Sequence, residues 1–295
     1  MALKGANGDA DGSLALNVDS HLPPAMAERA EDIGVKKAKA ELASVLALSV
    51  LAGAFISIGA IFCTTLIAGA GATPYGVVRL LAGIAFSLGL ILVVVGGAEL
   101  FTGNTLIVMA WASRKVTTAS LLKNWLIVYA GNFVGALLTV VLMYLTRQYT
   151  FGSGAVGITA LTVANMKCSL GFVQAIALGI MCNALVCMAV WMAYSARATV
   201  DKIFCIVGPI TCFIAAGFEH SIANMYFIPF GLMVKAYASP AFWDTIHKLP
   251  TDYPSLTLER FLVGNLLPVT IGNTIGGALL VGAVYWFAYR RNTRA

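Results

Sequence analysis

The 295-residue chain is 59% hydrophobic and 11% charged, well below the roughly 25% charge of ordinary soluble domains, which excludes a water-soluble globular fold in favour of an integral membrane protein. Its formal net charge of +6 requires no nucleic-acid partner, because basic loops orient membrane proteins and contact anionic lipid. Two soluble domains would fit the length, but so do about six apolar spans of 20 to 29 residues with their loops.

Met1 to Ser20 is polar and acidic and lacks the basic-then-apolar order of a cleaved signal peptide, so the first span is expected to direct insertion. Leu22 to Ala40 (LPPAMAERAEDIGVKKAKA) predicts an amphipathic helix with prolines at its start and Met26, Ala30 and Ile33 on one side. Residues 1–41 thus form a cytoplasmic segment. Its helix either lies passively on the surface or plugs the inner mouth, and it offers a place for a cytoplasmic partner.

Charge-free runs then mark six spans within residues 42–289: Leu42 to about Ala68, Leu80 to Ala98 continuing past a break to Ser113, Asn124 to Thr146, Cys168 to Ala196, Ile203 to Phe218 continuing past a break to Val234, and Phe261 to Tyr289. Between the last two, Ala236 to Leu258 carries Trp243, Tyr253 and three prolines, and reads as an interfacial cap on the outer side. Thirteen of the nineteen lysines and arginines share a side with both termini, which places the termini, including a tail at 290–295, in the cytoplasm. Cys63, Cys182, Cys187, Cys205 and Cys212 lie inside apolar runs and no CxxC occurs, so they read as small core residues, and no metal or other cofactor is expected.

The second and fifth spans are interrupted with one spacing, Glu99-Leu-Phe-Thr-Gly-Asn104 and Glu219-His-Ser-Ile-Ala-Asn224. An unwound backbone or a carboxylate at membrane depth is tolerated only where protein or water covers it, so a break repeated in two halves predicts a transport path with a site near the midplane. The halves also match at Ala130-Gly-Asn-Phe-Val-Gly-Ala-Leu-Leu138 and Ile271-Gly-Asn-Thr-Ile-Gly-Gly-Ala-Leu-Leu280. With three spans per repeat, 42–146 and 168–289, the second copy must be inverted. Gly131/Gly135 and Gly272/Gly276 have the spacing that lets helix backbones approach, within a subunit or between subunits.

The two break motifs resemble those of the formate/nitrite transporter family. The likeness extends along nearly the whole chain, through Phe86-Ser-Leu-Gly-Leu-Ile-Leu92, Lys123-Asn-Trp-Leu126, Ala189-Val-Trp-Met192, Ala238-Ser-Pro-Ala-Phe-Trp243 and Pro268-Val-Thr-Ile-Gly-Asn273 to the family's formate-channel branch. Two departures stand out: Thr-Gly-Asn-Thr at 102–105 is common to the wider family, and Cys168-Ser-Leu-Gly replaces a histidine-rich stretch. The resemblance implies an all-α, aquaporin-like protomer of six transmembrane helices, the second and fifth broken. It also implies one pore per protomer and assembly as a homopentamer in the inner membrane.

His220, the one histidine within a span, is by the resemblance the central pore group. It would carry formate and similar small anions, with protons, past the midplane by sharing a proton with the carboxylate, a relief of charge that chloride cannot obtain. Half-helices starting near Asn104 and Ser221 would aim their positive ends at the anion. The resemblance makes Phe86, Leu90 and Phe213 the outer constriction and Leu100 with Val186 the inner one. Thr102 would offer its hydroxyl beside His220, and Lys167 would raise the local anion concentration in the outer vestibule. Asn183 and Asn273 would stand along the path and, with Asn132, orient its network. Glu99, Asn104, Glu219 and Asn224 would support the breaks, the carboxylates accepting backbone N–H bonds or bonding His220.

A nitrite or hydrosulfide channel is the alternative within the family. A membrane-embedded enzyme built on Glu219 and His220 lacks an HExxH, a nucleophile elbow and a second intramembrane histidine. A neutral-solute pore lacks the Asn-Pro-Ala signature at its breaks.

Overall fold

A computed structural model describes residues 20–292; Lys4 and Arg294, both counted toward orientation, lie outside the described residues. Within them the chain forms helices and turns and no strand. Helix α1 spans Pro23–Lys39 and opens on two prolines, whose missing N–H groups cost nothing in a first turn. It buries Met26, Ala27, Ala30, Glu31 and Gly34, so its inward stripe is rotated from the expected one and Ile33 is only partly covered. Gly34 permits this docking, since a Cβ there would stand 3.0 Å from that of Ala110.

Six helices are long and apolar enough to cross a membrane: α2 (Leu42–Ile67), α3 (Tyr75–Gly96), α5 (Thr118–Leu145), α7 (Phe172–Ser195), α8 (Thr199–Ala216) and α11 (Arg260–Tyr289). Two shorter apolar helices, α4 (Phe101–Ala112) and α6 (Ala155–Cys168), and two further ones, α9 (Ser221–Tyr237) and α10 (Pro240–Ile246), complete the set. Helix α3 starts five residues before the expected Leu80 and takes Arg79 into its first turns. Helix α6 lies where the sequence suggested only a connection. Helix α11 widens into π-helical turns at Arg260–Leu266 and Ile275–Ala283.

Both breaks are built alike. Helix α3 ends at Gly97 (φ 77°) and α8 at Gly217 (φ 78°), left-handed caps that only glycine adopts without strain. The chain then runs extended through Leu100 (φ −110°, ψ 126°) and His220 (φ −111°, ψ 116°) before α4 and α9 resume. The first half-helix therefore starts at Phe101 rather than near Asn104, whereas the second starts at Ser221 as expected.

The glycine pairs lie at contacts within the subunit. A Cβ on Gly135 would fall on the Val50 carbonyl of α2, and one on Gly276 on the Ile180 carbonyl of α7. Close backbone approach is the main source of helix adhesion where lipid is as apolar as the side chains. Outward-facing Leu126, Val173 and Phe204 are more than two-thirds exposed, an apolar flank suited to lipid or to further copies of the chain.

Candidate functional site

In an apolar medium every backbone group freed by a break needs a partner, and one asparagine serves each break. Asn132 of α5 accepts from the Phe101 N–H (2.9 Å) and donates to the carbonyls of Ser49 (2.8 Å) and Glu99 (2.9 Å). Asn273 of α11 accepts from the Ser221 N–H (2.8 Å) and donates to those of Gly179 (2.8 Å) and Glu219 (2.9 Å). Asn273, expected along the path, is thus engaged in holding the second break.

The glutamates follow the same scheme. Glu99 pairs with Lys37 (2.8 Å) and accepts from Asn104 (2.7 Å), which also donates to Asn124 (2.9 Å), while Asn124 donates to the Lys37 carbonyl (3.1 Å). Glu219 pairs with Lys167 (2.7 Å) and accepts from Asn224 (2.7 Å), which donates to Asn265 (2.7 Å), while Asn265 donates to the Lys167 carbonyl (2.9 Å). The bonds recorded for the carboxylates come from side chains, none of them His220. Lys167 is not a free charge either: its side chain is 11% exposed and its partner 5%. Lys37, Asn124 and Asn265 were missed in the sequence, although Lys37 and Lys167 each stand five residues before a span helix.

His220 is 3% exposed and caps α9, with Nδ1 accepting the Ala223 N–H at 3.1 Å. That bond leaves a lone pair on Nδ1, so the proton of the neutral ring is on Nε2, 3.1 Å from the Thr102 hydroxyl. The two breaks therefore meet through one side-chain contact, at the starts of two half-helices. Asn183 stands behind Thr102, donating to the carbonyls of Thr102 (3.3 Å) and Asn273 (2.6 Å). Thr105 donates to the Thr102 carbonyl at 2.7 Å, while the Thr102 hydroxyl has the histidine as its partner.

Aromatic rings connect this centre to the Lys167 face. His220 stacks near Phe213 (6.0 Å between centroids), Phe213 meets Phe86 edge-on (5.6 Å), Phe86 lies over Phe227 (6.3 Å), and Lys167 stands 5.4 Å from the Phe227 ring. Phe227 was not singled out in the sequence, where it is one apolar residue among many. A cavity of about 70 Å³ lies outside these rings, lined by Lys167, Glu219, Phe227 and Arg79. On the other side, toward α1, a cavity of about 250 Å³ is lined by Lys37, Glu99, Leu90, Leu100, Val190 and Tyr194. Leu90, grouped with the outer constriction in the sequence, lies one helical turn past Phe86 toward the break and borders this second cavity. Val186 is buried one turn before Val190.

The chain matches the profile of the family described as formate/nitrite transporter over residues 24–287. The formate channel FocA of Escherichia coli strain K12 is 50% identical over 273 residues, 92% of this chain and 96% of its own length. The formate channel FocA of Haemophilus influenzae is 42% identical over 78% of this chain and 81% of its own. Among solved structures, a pentameric formate channel with formate bound matches with a TM-score of 0.81 at 44% identity, covering 84% of this chain and 97% of that one. An FNT family ion channel matches with a TM-score of 0.73 at 27% identity, covering 90% and 98%.

Proposed function

The chain belongs to the formate/nitrite transporter family, and on that premise we propose that it is a homopentameric inner-membrane channel for formate and related small monovalent anions, with both termini in the cytoplasm. The observation that carries the reading is the contact between His220 Nε2 and the Thr102 hydroxyl, 3.1 Å apart where the two breaks meet. An anion crossing an apolar pore loses its hydration shell, which is costly unless donors replace it. Here the Nε2–H, the Thr102 hydroxyl and the starts of α4 and α9 supply donors and positive dipole ends, each terminus worth about 0.3 to 2 kcal/mol to an adjacent anion.

Attraction alone would hold the ion, and passage needs the charge relieved at the narrowest point. His220 does this by giving the carboxylate a proton: the N–H of an imidazolium moves to a carboxylate oxygen and leaves the ring neutral. Because both nitrogens of an imidazolium are donors, the ring must first take a proton on Nδ1 and give up the Ala223 N–H. The resting ring is therefore neutral, and proton supply from the mouths sets the rate.

The test is formate flux in proteoliposomes against external pH, read above protein-free liposomes, with an internal dye for protons. Uptake should rise as pH falls and carry protons with it, while chloride stays excluded. Nitrite and hydrosulfide are measured beside formate, and a larger flux of either would reassign the substrate. Flux of formate that ignores pH would overturn the proton step.

A further inference from the structure

Arg79, in the first turns of α3, faces the outer cavity together with Lys167 and Glu219. Its guanidinium donates to the carbonyls of Ile214 and, at 3.3 Å, Ala215, the last turn of α8. Its Nη2 would stand 3.6 Å from a Cβ built on Gly217, the residue that ends that helix. Those carbonyls form the negative end of a half-helix facing the mouth, where an incoming anion would meet them first. Arg79 covers them with a positive charge.

The charges lining the two cavities differ. In the outer one Lys167 and Glu219 form an ion pair at 2.7 Å, so their charges cancel and Arg79 remains. In the inner one Lys37 and Glu99 pair at 2.8 Å and, among the described residues, no further charged side chain lines the cavity. The position matching Arg79 in the second repeat, 120 residues on as Gly217 is from Gly97, is the uncharged Thr199.

We propose that Arg79, rather than Lys167, supplies the electrostatic attraction at the outer mouth and makes the two mouths electrostatically unequal. This rests on the anion-channel reading. Since a guanidinium stays charged at all working pH values, the attraction is independent of pH and is moderated only by salt.

The experiment offers formate to right-side-out and everted vesicles carrying the full-length protein, with salts of impermeant ions added on one side at a time. In the unmodified protein, salt on the Arg79 face should raise the half-saturating formate concentration, because charges are screened over about 30 Å at 0.01 M and 10 Å at 0.1 M, and Arg79→Gln should abolish that response while leaving any response to salt on the other face, where most of the basic loop residues lie, as it was. Arg79→Gln should raise that concentration about threefold at low salt from its own face, with the deficit shrinking as salt is added. Arg79→Lys should keep most of the attraction while making fewer carbonyl bonds. A salt response on the Arg79 face that survives in Arg79→Gln, or an Arg79→Gln deficit that ignores salt, would overturn the inference while leaving the channel reading in place. Unmodified protein that passes no anion above empty vesicles would overturn both.

Discussion

At the scale of single residues, His220 has two tasks that a substitution separates. Its ring caps α9 through the Ala223 N–H, and it presents Nε2 to Thr102. Asparagine is among the best N-cap residues, whereas losing a cap costs about 1 kcal/mol. His220→Asn should therefore fold and assemble normally, lose proton co-movement, and give a formate flux that no longer changes between pH 5 and 8. Persistence of both proton coupling and chloride exclusion would dismiss the proton step. The histidine was legible in the sequence because it is the one such residue in a span; its cap bond was not, since nothing in the order Glu-His-Ser says which ring nitrogen faces the backbone. Lys167 shows the opposite: its position was visible but its ion pair with Glu219 was not, because they are 52 residues apart. That Leu90 borders the cavity beside Glu99 was not legible, because it depends on where α3 sits, not on residue type.

At the scale of elements, each break depends on one asparagine engaged at both ends. Asn132→Leu would strip partners from the Phe101 N–H and from the Ser49 and Glu99 carbonyls, and unpaired buried groups cost about 1 to 3 kcal/mol each. Asn273→Leu removes the equivalent three bonds, so thermal melting in detergent should show large and similar losses for both variants; a mild effect in either would mean that break has another support. Helix α1 is fastened by Glu31, 1% exposed, to Lys115 (2.7 Å), Arg290 (3.1 Å) and Ser113. Burial alone would raise its carboxyl, but bonds from Arg290, Lys115 and Ser113 bring it below its ordinary value of 4.5. A depressed carboxyl stabilises the docked state above that ordinary value and ceases to do so as pH falls through its folded one. Protease protection of α1 should thus be level from pH 5 to 8 and decline only in stronger acid, and Glu31→Gln should shorten protection at neutral pH by removing about 1 to 3 kcal/mol. The broken helices were legible because glycine and a carboxylate interrupt runs long enough to span a bilayer. Helix α6 was not, because its 14 residues are too few to cross and follow a glycine-rich turn that reads as a loop.

At the scale of the whole molecule, each half is held together by backbone contact, α2 with α5 in the first and α7 with α11 in the second. Gly135→Leu and Gly276→Leu place side chains on the Val50 and Ile180 carbonyls, and should lower the yield of folded oligomer on gel filtration rather than alter selectivity; recovery of normal oligomer from either would show that the helices can part. The repeat was legible from its glycines and break motifs, but the matching of α1 to α6 was not, since the two helices share little beyond the placement of Lys37 and Lys167. That matching has a consequence for traffic. Read from either surface, the proposed route runs through a lysine–glutamate pair, apolar side chains, the His220–Thr102 centre, apolar side chains and a second lysine–glutamate pair, a palindrome in chemical groups. A palindromic route has no built-in forward direction, and by microscopic reversibility even an unequal charge at one mouth cannot give it one. On the proton-coupled reading, which way the cargo moves on balance is then written in the concentrations of formate and of protons on the two sides of the membrane, and the same route would serve for discharge and for recovery.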